Sequence, residues 1–454
     1  MPVEVVARIL LLACGDFDED PRAYMLARYV VCQVCVLWRN VVCSDARFWS
    51  GVLVGDHRTL PVLDLWLARS KRAPLHLFID TGTYAVNWRS FASVWASLLS
   101  IIPCMVDRVD RFSLKDDHGD RGAVVLHWLS SLAASTASRL DVFTVMPTKV
   151  DARVVERGRG RWSRTVDLSK PSTPLHLLRA ACLTSLVVQR SFLVLQPSML
   201  SGLRRLRLGP IPSYQRLTWD SVRSMLLACS VLDLFVCDDV RCEYGSFGEC
   251  EMPCLTHFRL VSRHWSAESI FAALRLPSLR VLYLDGYAPM LGLRRSDGTR
   301  SFFPSVEVLV VKCSMSRPCD FHLFLRGFAG LKTLVLRQLS APSRAAFLSI
   351  KQSVRTSLTV EEVVGSSRLP DRLCPLLASV CLDAALTVRD AEEVLSDTPP
   401  AVFSPSCVLS YALRAPREDG DSGAFRLVHG EVVAVPFYNL PLDALSRFDY
   451  GFCE

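Results

Sequence analysis

The sequence Leu279–Leu284, "LRVLYL", has the pattern Leu-x-x-Leu-x-Leu, which returns many times along the chain. Clear copies begin at Leu203, Val231, Leu255, Leu279, Val306, Leu331 and Leu377, and weaker copies begin at Val109, Leu140 and Leu183. The first six clear copies start 28, 24, 24, 27 and 25 residues apart, and the last follows after 46, a distance that fits two units. A period of ~20–29 residues is typical of leucine-rich repeats, in which each unit joins a strand to a helix.

The segments around the copies support the same period. A proline stands two residues before four of the copies, at Pro253, Pro277, Pro304 and Pro375. Proline is tolerated there because it precedes the strand and need not donate a ladder hydrogen bond. Capped helical patterns lie between the strands and begin at Thr218, Ser266, Cys319 and Ser340. A first unit follows Trp49 directly, with the strand "GVLV", a helix and the strand "PLHLFI". The sequence therefore predicts an α/β fold, a solenoid in which each unit covers the apolar edge of its neighbour.

Composition limits the class of protein. The chain has 454 residues, half of them apolar and 21% charged, which indicates a folded chain with a large core. Its formal charge of +7 permits a weak basic patch without implying nucleic acid. The stretch nearest to a membrane span, 90–106, carries no charge but contains Pro103 and four serines, and it falls short of the ~18 uninterrupted apolar residues required. We therefore expect no membrane association.

The cysteines indicate the compartment. There are 17, an odd number, spread over the whole chain without an Asn-x-Ser/Thr acceptor. This is typical of reduced thiols in a cytoplasmic or nuclear protein. The segment Leu10–Gly15, "LLLACG", resembles a lipoprotein cleavage site, but Glu4 and Arg8 break the basic and apolar regions that such a signal requires.

The first fifty residues predict a small helical unit. Apolar residues recur at helical spacing from Val5 to Ala13, and Gly15 ends that helix. Asp20-Pro21 starts a second helix, predicted to run on through Trp38. A short last helix carries Trp49. So small a unit cannot bury this apolar surface by itself, so either a partner or the following repeats must cover it.

Catalytic and metal-binding motifs are missing from the sequence. It contains no phosphate-binding loop, no nucleophile elbow and no His-Glu-x-x-His. "CQVC" at Cys32–Cys35 is a single pair inside the predicted second helix, which supplies half of a zinc site. The basic run Arg157–Arg164 is read as a solvated loop, with RNA or an acidic peptide as the alternative. We expect a non-catalytic protein without cofactor or metal, for which nucleic acid is a weak third alternative.

The order of residues at the N-terminus resembles that of an F-box. "MPVEVVARIL" is similar to the opening of this motif, and "VCVLWRNVVCSDARFW" is similar to its end. The resemblance covers residues 1–52 and implies that the unit docks the Skp adaptor and, through it, a cullin. It also implies a set of residues at or under the docking surface, namely Pro2, Ile9, Leu10, Val34, Cys35, Trp38 and Trp49.

The repeat pattern predicts where a substrate protein would bind. In Leu-x-x-Leu-x-Leu the apolar residues point inward, so the residues between and after them face the concave side of the sheet. The predicted concave residues are Arg205, Arg207, Asp233, Phe235, His257, Arg259, Tyr283, Asp285, Lys312, Arg337 and Asp383. Valines occupy equivalent positions, so either this face is a partly apolar binding surface or the C-terminal tail covers it.

These observations predict three parts: an F-box-like helical domain over 1–52, a leucine-rich-repeat-like solenoid over 53–408 and a C-terminal cap or tail over 409–454. The resemblance implies a non-catalytic substrate receptor of an SCF-type ubiquitin ligase, resembling fungal F-box proteins. The alternative is a leucine-rich-repeat scaffold in which Trp38 and Trp49 cap the first repeat.

Overall fold

The computed structural model contains two compact units, one built mainly from Met1–Gln215 and the other from Arg216–Phe452. The residues that the structure describes are 1–17, 20–55, 60–80, 106–115, 139–146, 183–189, 200–209, 217–238, 242–243, 249–262, 274–286, 303–312, 327–337, 376, 379–384, 408–413, 424–428 and 431–435. Within them, no helix is long and apolar enough to cross a bilayer.

The first unit begins with helices and continues as a parallel sheet. Its helices are α1 (Val3–Cys14), α2 (Pro21–Val34), α3 (Val36–Ser44) and α4 (Leu60–Arg69), with a 3₁₀ turn at Ala46–Trp49. Its strands are β1 (Gly51–Val54), β2 (Leu75–Asp80), β3 (Val109–Lys115), β4 (Val142–Met146), β5 (Ser185–Val188) and β6 (Arg205–Leu208), each parallel to the next. A second 3₁₀ turn, Val106–Arg108, precedes β3.

The second unit repeats the parallel arrangement. Its elements are β7 (Leu217–Thr218), α5 (Trp219–Ala228), β8 (Leu234–Asp238), β9 (Cys242–Glu243), β10 (Cys250–Glu251), β11 (His257–Ser262), β12 (Leu274–Arg275), β13 (Val281–Gly286), β14 (Val308–Lys312), β15 (Thr333–Arg337), β16 (Ser379–Ala384), β17 (Val408–Leu413), β18 (Ala424–Val428) and β19 (Glu431–Val435). The main sheet runs parallel through β8, β11 and β13–β17, and β18 and β19 add two antiparallel strands within the predicted tail. The prediction of an α/β chain is confirmed.

Strand register gives each sheet two faces. In unit 2, Leu282 aligns with Phe258 and Leu309, and the face with these residues is called the leucine face. Tyr283 aligns with Arg259 and Val310 on the other side, the tyrosine face. In unit 1, the face that carries Ser113 on β3 is called the serine face. Leu282, Leu309 and Phe258 are fully buried, as the repeat pattern predicts.

The predicted register is wrong for the copy that was placed at Val231. Val231 is exposed, while Leu232 is buried and occupies the first apolar position of the repeat. Phe235 therefore lies on the leucine face, where it pairs with Phe258 and stacks on its ring at 5.4 Å. The prediction of Phe235 as a concave residue is corrected, because a shift of one residue moves a side chain to the opposite face.

Local signals explain several element boundaries. The Asp20 side chain accepts hydrogen bonds from the backbone N–H groups of Arg22 and Ala23, both at 3.0 Å, so α2 begins where the sequence predicted. Gly15 ends α1 with a φ of 79°. The strands "GVLV" and "PLHLFI" and the helix after Thr218 are confirmed as β1, β2 and α5. The helices predicted at Ser266, Cys319 and Ser340 lie outside the described residues, as do Arg157–Arg164 and Pro375.

Candidate partner-binding surface

The N-terminal helices present large apolar side chains to solvent. On α1, Val5, Ile9 and Leu12 recur at helical spacing on one side, and Leu12 is 76% exposed. The opposite side of α1 carries Val6 and Leu10, which are buried. The apolar residues of this helix thus divide into a packed set and a solvent-facing set.

The same division continues in the next two helices. The exposed apolar residues there are Leu26, Tyr29, Val30, Val34, Val36 and Leu37, all more than half exposed. Met1, just before α1, and Val3, Val5, Ile9 and Leu12 on α1 are also exposed and complete the set that we call the exposed helical surface. Single exposed apolar residues are ordinary, but so many on three short helices make this surface a candidate interface.

A helix break at Cys35 shapes the centre of this surface. The predicted second helix does not run on through Trp38, because Cys35 is extended, with a φ of −157°, and ends α2. Its Sγ accepts a hydrogen bond from the Trp38 N–H at 3.4 Å and so caps the start of α3. The expectation that Cys32 and Cys35 lie within one helix is therefore wrong. The break brings Val36 and Leu37, at the start of the new helix, into solvent.

The buried side of the helical unit is organised around Trp49. Its indole Nε1–H donates to the Val42 carbonyl at 2.6 Å. The Arg28 and Arg69 guanidinium carbons lie over the indole at 4.3 and 4.5 Å from its centroid. Such stacking is favourable for the positive charge because the ring face is negative. Trp49 is thus an interior anchor that joins α2 to α4, and no partner can reach its ring without unfolding this packing.

Arg28 is the charged residue at the heart of this packing. Its side chain donates to the Phe48 carbonyl at 2.8 Å and also lies 5.3 Å from the Trp66 ring. Burial lowers the pKa of Arg28, and burial raises the pKa of Tyr24 beside it to about 12. Removal of the Arg28 side chain would leave the buried Phe48 carbonyl with only the longer hydrogen bond that the Tyr24 hydroxyl donates at 3.5 Å.

Phe17 in the loop before α2 and Arg22 in the first turn of α2 fix the helices on the first strands. The Phe17 ring packs edge-on against His76 at 4.9 Å and fills the space where Gly51 lacks a side chain. Arg22 forms an ion pair with the buried Asp80 carboxylate at 2.8 Å. The helical unit and the first two strands therefore form one packed body, and residues 1–52 are unsuited to study as an isolated fragment.

The predicted adaptor residues fall into three groups. Pro2, Ile9, Val34 and Cys35 are exposed, and Trp38 is half-buried. Leu10 and Trp49 are buried and lie beneath the surface. Sequence reasoning missed Leu12, Leu26, Tyr29, Val36 and Leu37. The signal for Leu12 and Leu26 was that they are apolar but lie off the stripe that packs on the core.

The tyrosine face of unit 2 is buried at its centre. A cluster of buried side chains fills it: Leu234, Val236, Val281, Tyr283, Val310 and Val335. Tyr283 is 4% exposed and lies 4.7 Å from the Arg259 guanidinium, which also pairs with Asp238 at 3.3 Å. The structure holds one chain, so these residues are buried by the chain itself. The centre of this face is core, and the prediction of Tyr283 as an accessible binding residue is corrected.

The remaining predicted concave residues of unit 2 lie on or beside the same strands. His257, Arg259 and Asp285 are half-buried on the tyrosine face. Lys312, Arg337 and Asp383 occupy one register row with Asp285 across β13 to β16. The register shift at Val231 also corrects the prediction of Asp233 as a concave residue, because Leu234 takes that position opposite His257. Asp233 itself precedes β8, and its carbonyl accepts hydrogen bonds from the Thr256 and His257 N–H groups.

Unit 1 places Arg205 and Arg207 on its serine face. Arg205 aligns with Ser185 on β5, and Ser185 aligns with Val142 on β4. Both arginines are half-buried. They share this face with Arg111 and Lys115 of β3, which the sequence did not single out.

The cysteines show no grouping typical of metal sites. In the described part of the chain, no three His, Cys, Asp or Glu residues are arranged to hold a metal ion. Burial raises the pKa of the Cys14 and Cys32 thiols, and it raises that of Cys229 to about 12. Burial thus favours the protonated thiol over the thiolate at these three residues.

Comparison with known proteins adds no relative. No protein-family model matches the sequence, and no curated protein is significantly similar to it.

Proposed function

We propose that this chain is a non-catalytic substrate receptor of an SCF-type ubiquitin ligase, whose N-terminal helices dock the Skp adaptor and whose repeats hold a target protein. The observation that carries the proposal is the exposed helical surface, with Leu12 76% and Val36 66% exposed. Apolar and aromatic residues of this kind form the centres of protein interfaces. The choice of the Skp adaptor as the partner rests on the resemblance of residues 1–52 to an F-box.

In this proposal the two parts of the chain bind different partners. The F-box-like helices bring the chain to the adaptor and through it to a cullin, and the leucine-rich-repeat-like unit positions the target. The chain contributes proximity, because tethering raises the effective concentration of the target at the ligase. The packing of Phe17, Arg22 and Trp49 supports a fixed geometry between the helices and the first strands.

The second candidate is a leucine-rich-repeat scaffold outside any ligase. Its supporting observation is Trp49, which is buried against Arg28 and Arg69 as a cap of the first repeat would be. This candidate leaves the exposed helical surface without a role. A capping unit is expected to present a polar outer face.

Capture of the purified full-length chain by a fungal Skp adaptor tests the proposal. Val34→Asp and Leu37→Asp place a charge on the exposed helical surface and should abolish capture. Leu227→Asp on α5 is the matched control, because Leu227 is also an exposed helical residue, and it should leave capture unchanged. A wild-type chain that is folded and fails to bind the adaptor would favour the scaffold.

A further inference from the structure

The exposed side of α1 carries one acidic and one basic side chain beside its apolar residues. Glu4 and Arg8 are both exposed, and because they lie four residues apart they project from the same flank of the helix. Val5 and Ile9, which are 45% and 50% exposed, form an apolar stripe next to them. This stripe therefore has a negative group on its flank near the start of α1 and a positive group ~6 Å further along the helix.

Neither charge is used within the chain. Among the described residues, the side chains of Glu4 and Arg8 form no ion pair and no hydrogen bond with any neighbour. A glutamate and an arginine at this spacing can pair along one helix, but the structure shows no such pair. Both charged groups, like the apolar stripe beside them, are therefore available to a second molecule.

A second copy of the same helix fits this arrangement when the two helices run antiparallel. In a two-fold symmetric pair the same surface is used by both copies, and each flank of one helix meets the same flank of the other. With the two-fold axis at the level of Val6, midway between the two charges, Glu4 lies opposite Arg8 of the second copy, and this pairing occurs twice. Val5 of each copy then lies beside the axis, with Ile9 about one turn away.

The two charges also select the orientation of such a pair. Two parallel copies of α1 would place Glu4 beside Glu4 and Arg8 beside Arg8, and like charges at such close range repel each other. Charges that flank an apolar stripe set the partner and the orientation of paired helices in this way. The apolar stripe alone fits many partners, whereas the order of the two charges makes it complementary to its own copy.

We propose that the adaptor-free chain forms a symmetric dimer through α1, in which Glu4 and Arg8 form two ion pairs around a centre made by Val5. The interface is small, so the dimer is weak and a competing partner can displace it. The inference goes beyond the proposed function. Because α1 is part of the exposed helical surface, self-association and adaptor docking exclude one another, and only this last step rests on the proposed function.

Analytical ultracentrifugation of the purified full-length chain, without the adaptor, tests the inference. The wild type should sediment increasingly as a dimer as its concentration rises into the ~100 μM range expected of a small interface. Glu4→Arg and Arg8→Glu each place like charges opposite one another, so each should raise the dissociation constant about tenfold or more. Mixed in equal amounts, these two variants should form a heterodimer, because every contact then joins opposite charges.

Two further variants serve as a second test and as a control. Val5→Asp places two carboxylates beside the two-fold axis and should abolish the dimer. This variant keeps the test decisive if a charge reversal near the start of α1 lowers stability. Leu227→Asp on α5 changes another exposed apolar residue of a helix and should leave dimer formation unchanged. The melting temperature of each variant shows whether it is folded.

The outcomes separate this inference from the proposed function. A wild type that stays monomeric, charge-reversed variants that dimerise as well as the wild type, or an equal mixture that stays monomeric would overturn the inference. An equal loss in Leu227→Asp would overturn it as well. Because the adaptor is absent from these measurements, a monomeric chain leaves adaptor docking standing, and a failed adaptor capture leaves the dimer standing.

Discussion

The N-terminal helices expose many of their apolar residues to solvent, whereas the tyrosine face of unit 2 buries its apolar residues. The helices leave Leu12, Tyr29 and Val36 in solvent, whereas the sheet buries Tyr283 and Val310. Sequence reasoning had left the helices undecided and had assigned Tyr283 to the binding surface. An apolar residue in the sequence is therefore a sign of a binding surface only where the folded chain leaves it exposed.

Truncation of Tyr283 is the strongest test of this comparison. Tyr283→Ala should lower the free energy of unfolding by about 3–5 kcal/mol, because it opens a cavity and removes the ring beneath Arg259. The sequence alone predicts a loss within ~0.5 kcal/mol, as for a surface residue. Urea denaturation measures the difference, with exposed Arg280→Ala as control. A loss below ~1 kcal/mol would mean that the tyrosine face is open in solution.

The leucine face should respond almost as strongly. Leu282→Ala and Leu309→Ala should each lower the free energy of unfolding by about 2–5 kcal/mol through lost contacts and the cavity left behind. Both side chains are fully buried, so neither change should affect a partner directly. If both faces behave as core, all three variants, Tyr283→Ala, Leu282→Ala and Leu309→Ala, lower the free energy of unfolding. A stable Leu282→Ala protein beside an unfolded Tyr283→Ala protein would contradict the register.

Substitutions on the exposed helical surface should weaken adaptor binding without lowering the free energy of unfolding. Trp38→Ala should weaken adaptor binding by about 2–4 kcal/mol, the range of an aromatic anchor at an interface. Trp38 is half-buried at the edge of the exposed helical surface. Calorimetric titration of the full-length chain measures the affinity, and its melting temperature reports the fold. Equal affinity of mutant and wild type would remove Trp38 from the interface.

Much of the fold could be predicted because it follows from local rules. Period, strand alternation and the Asp20-Pro21 start are properties of neighbouring residues, and β1, β2, α5 and the start of α2 appear where they were expected. The error at Val231 arose because two adjacent apolar residues both fit the pattern, and only burial distinguishes them. No local rule reveals such a shift.

The candidate sites were harder to predict because they depend on contacts distant in sequence. The burial of Trp49 depends on Arg69 of α4, and that of Asp80 coincides with contacts from Arg22 and Lys115. Likewise, the break at Cys35 depends on a sulfur cap that propensity scales do not include. These long-range contacts decide which side chains stay exposed, so the sequence predicts the candidate binding surfaces only in part.

The smallest expected effect concerns the cysteines beside the helix break. We predict that Cys32 and Cys35 bind no zinc, because one pair supplies two of the four ligands of a tetrahedral site. Cys35→Ser should therefore leave the metal content of the purified protein unchanged. Serine can also cap α3, so the fold should persist. Metal analysis by mass spectrometry checks this. Stoichiometric zinc that disappears on Cys35→Ser would mean that the break holds a metal site, and the exposed helical surface would then need a second role.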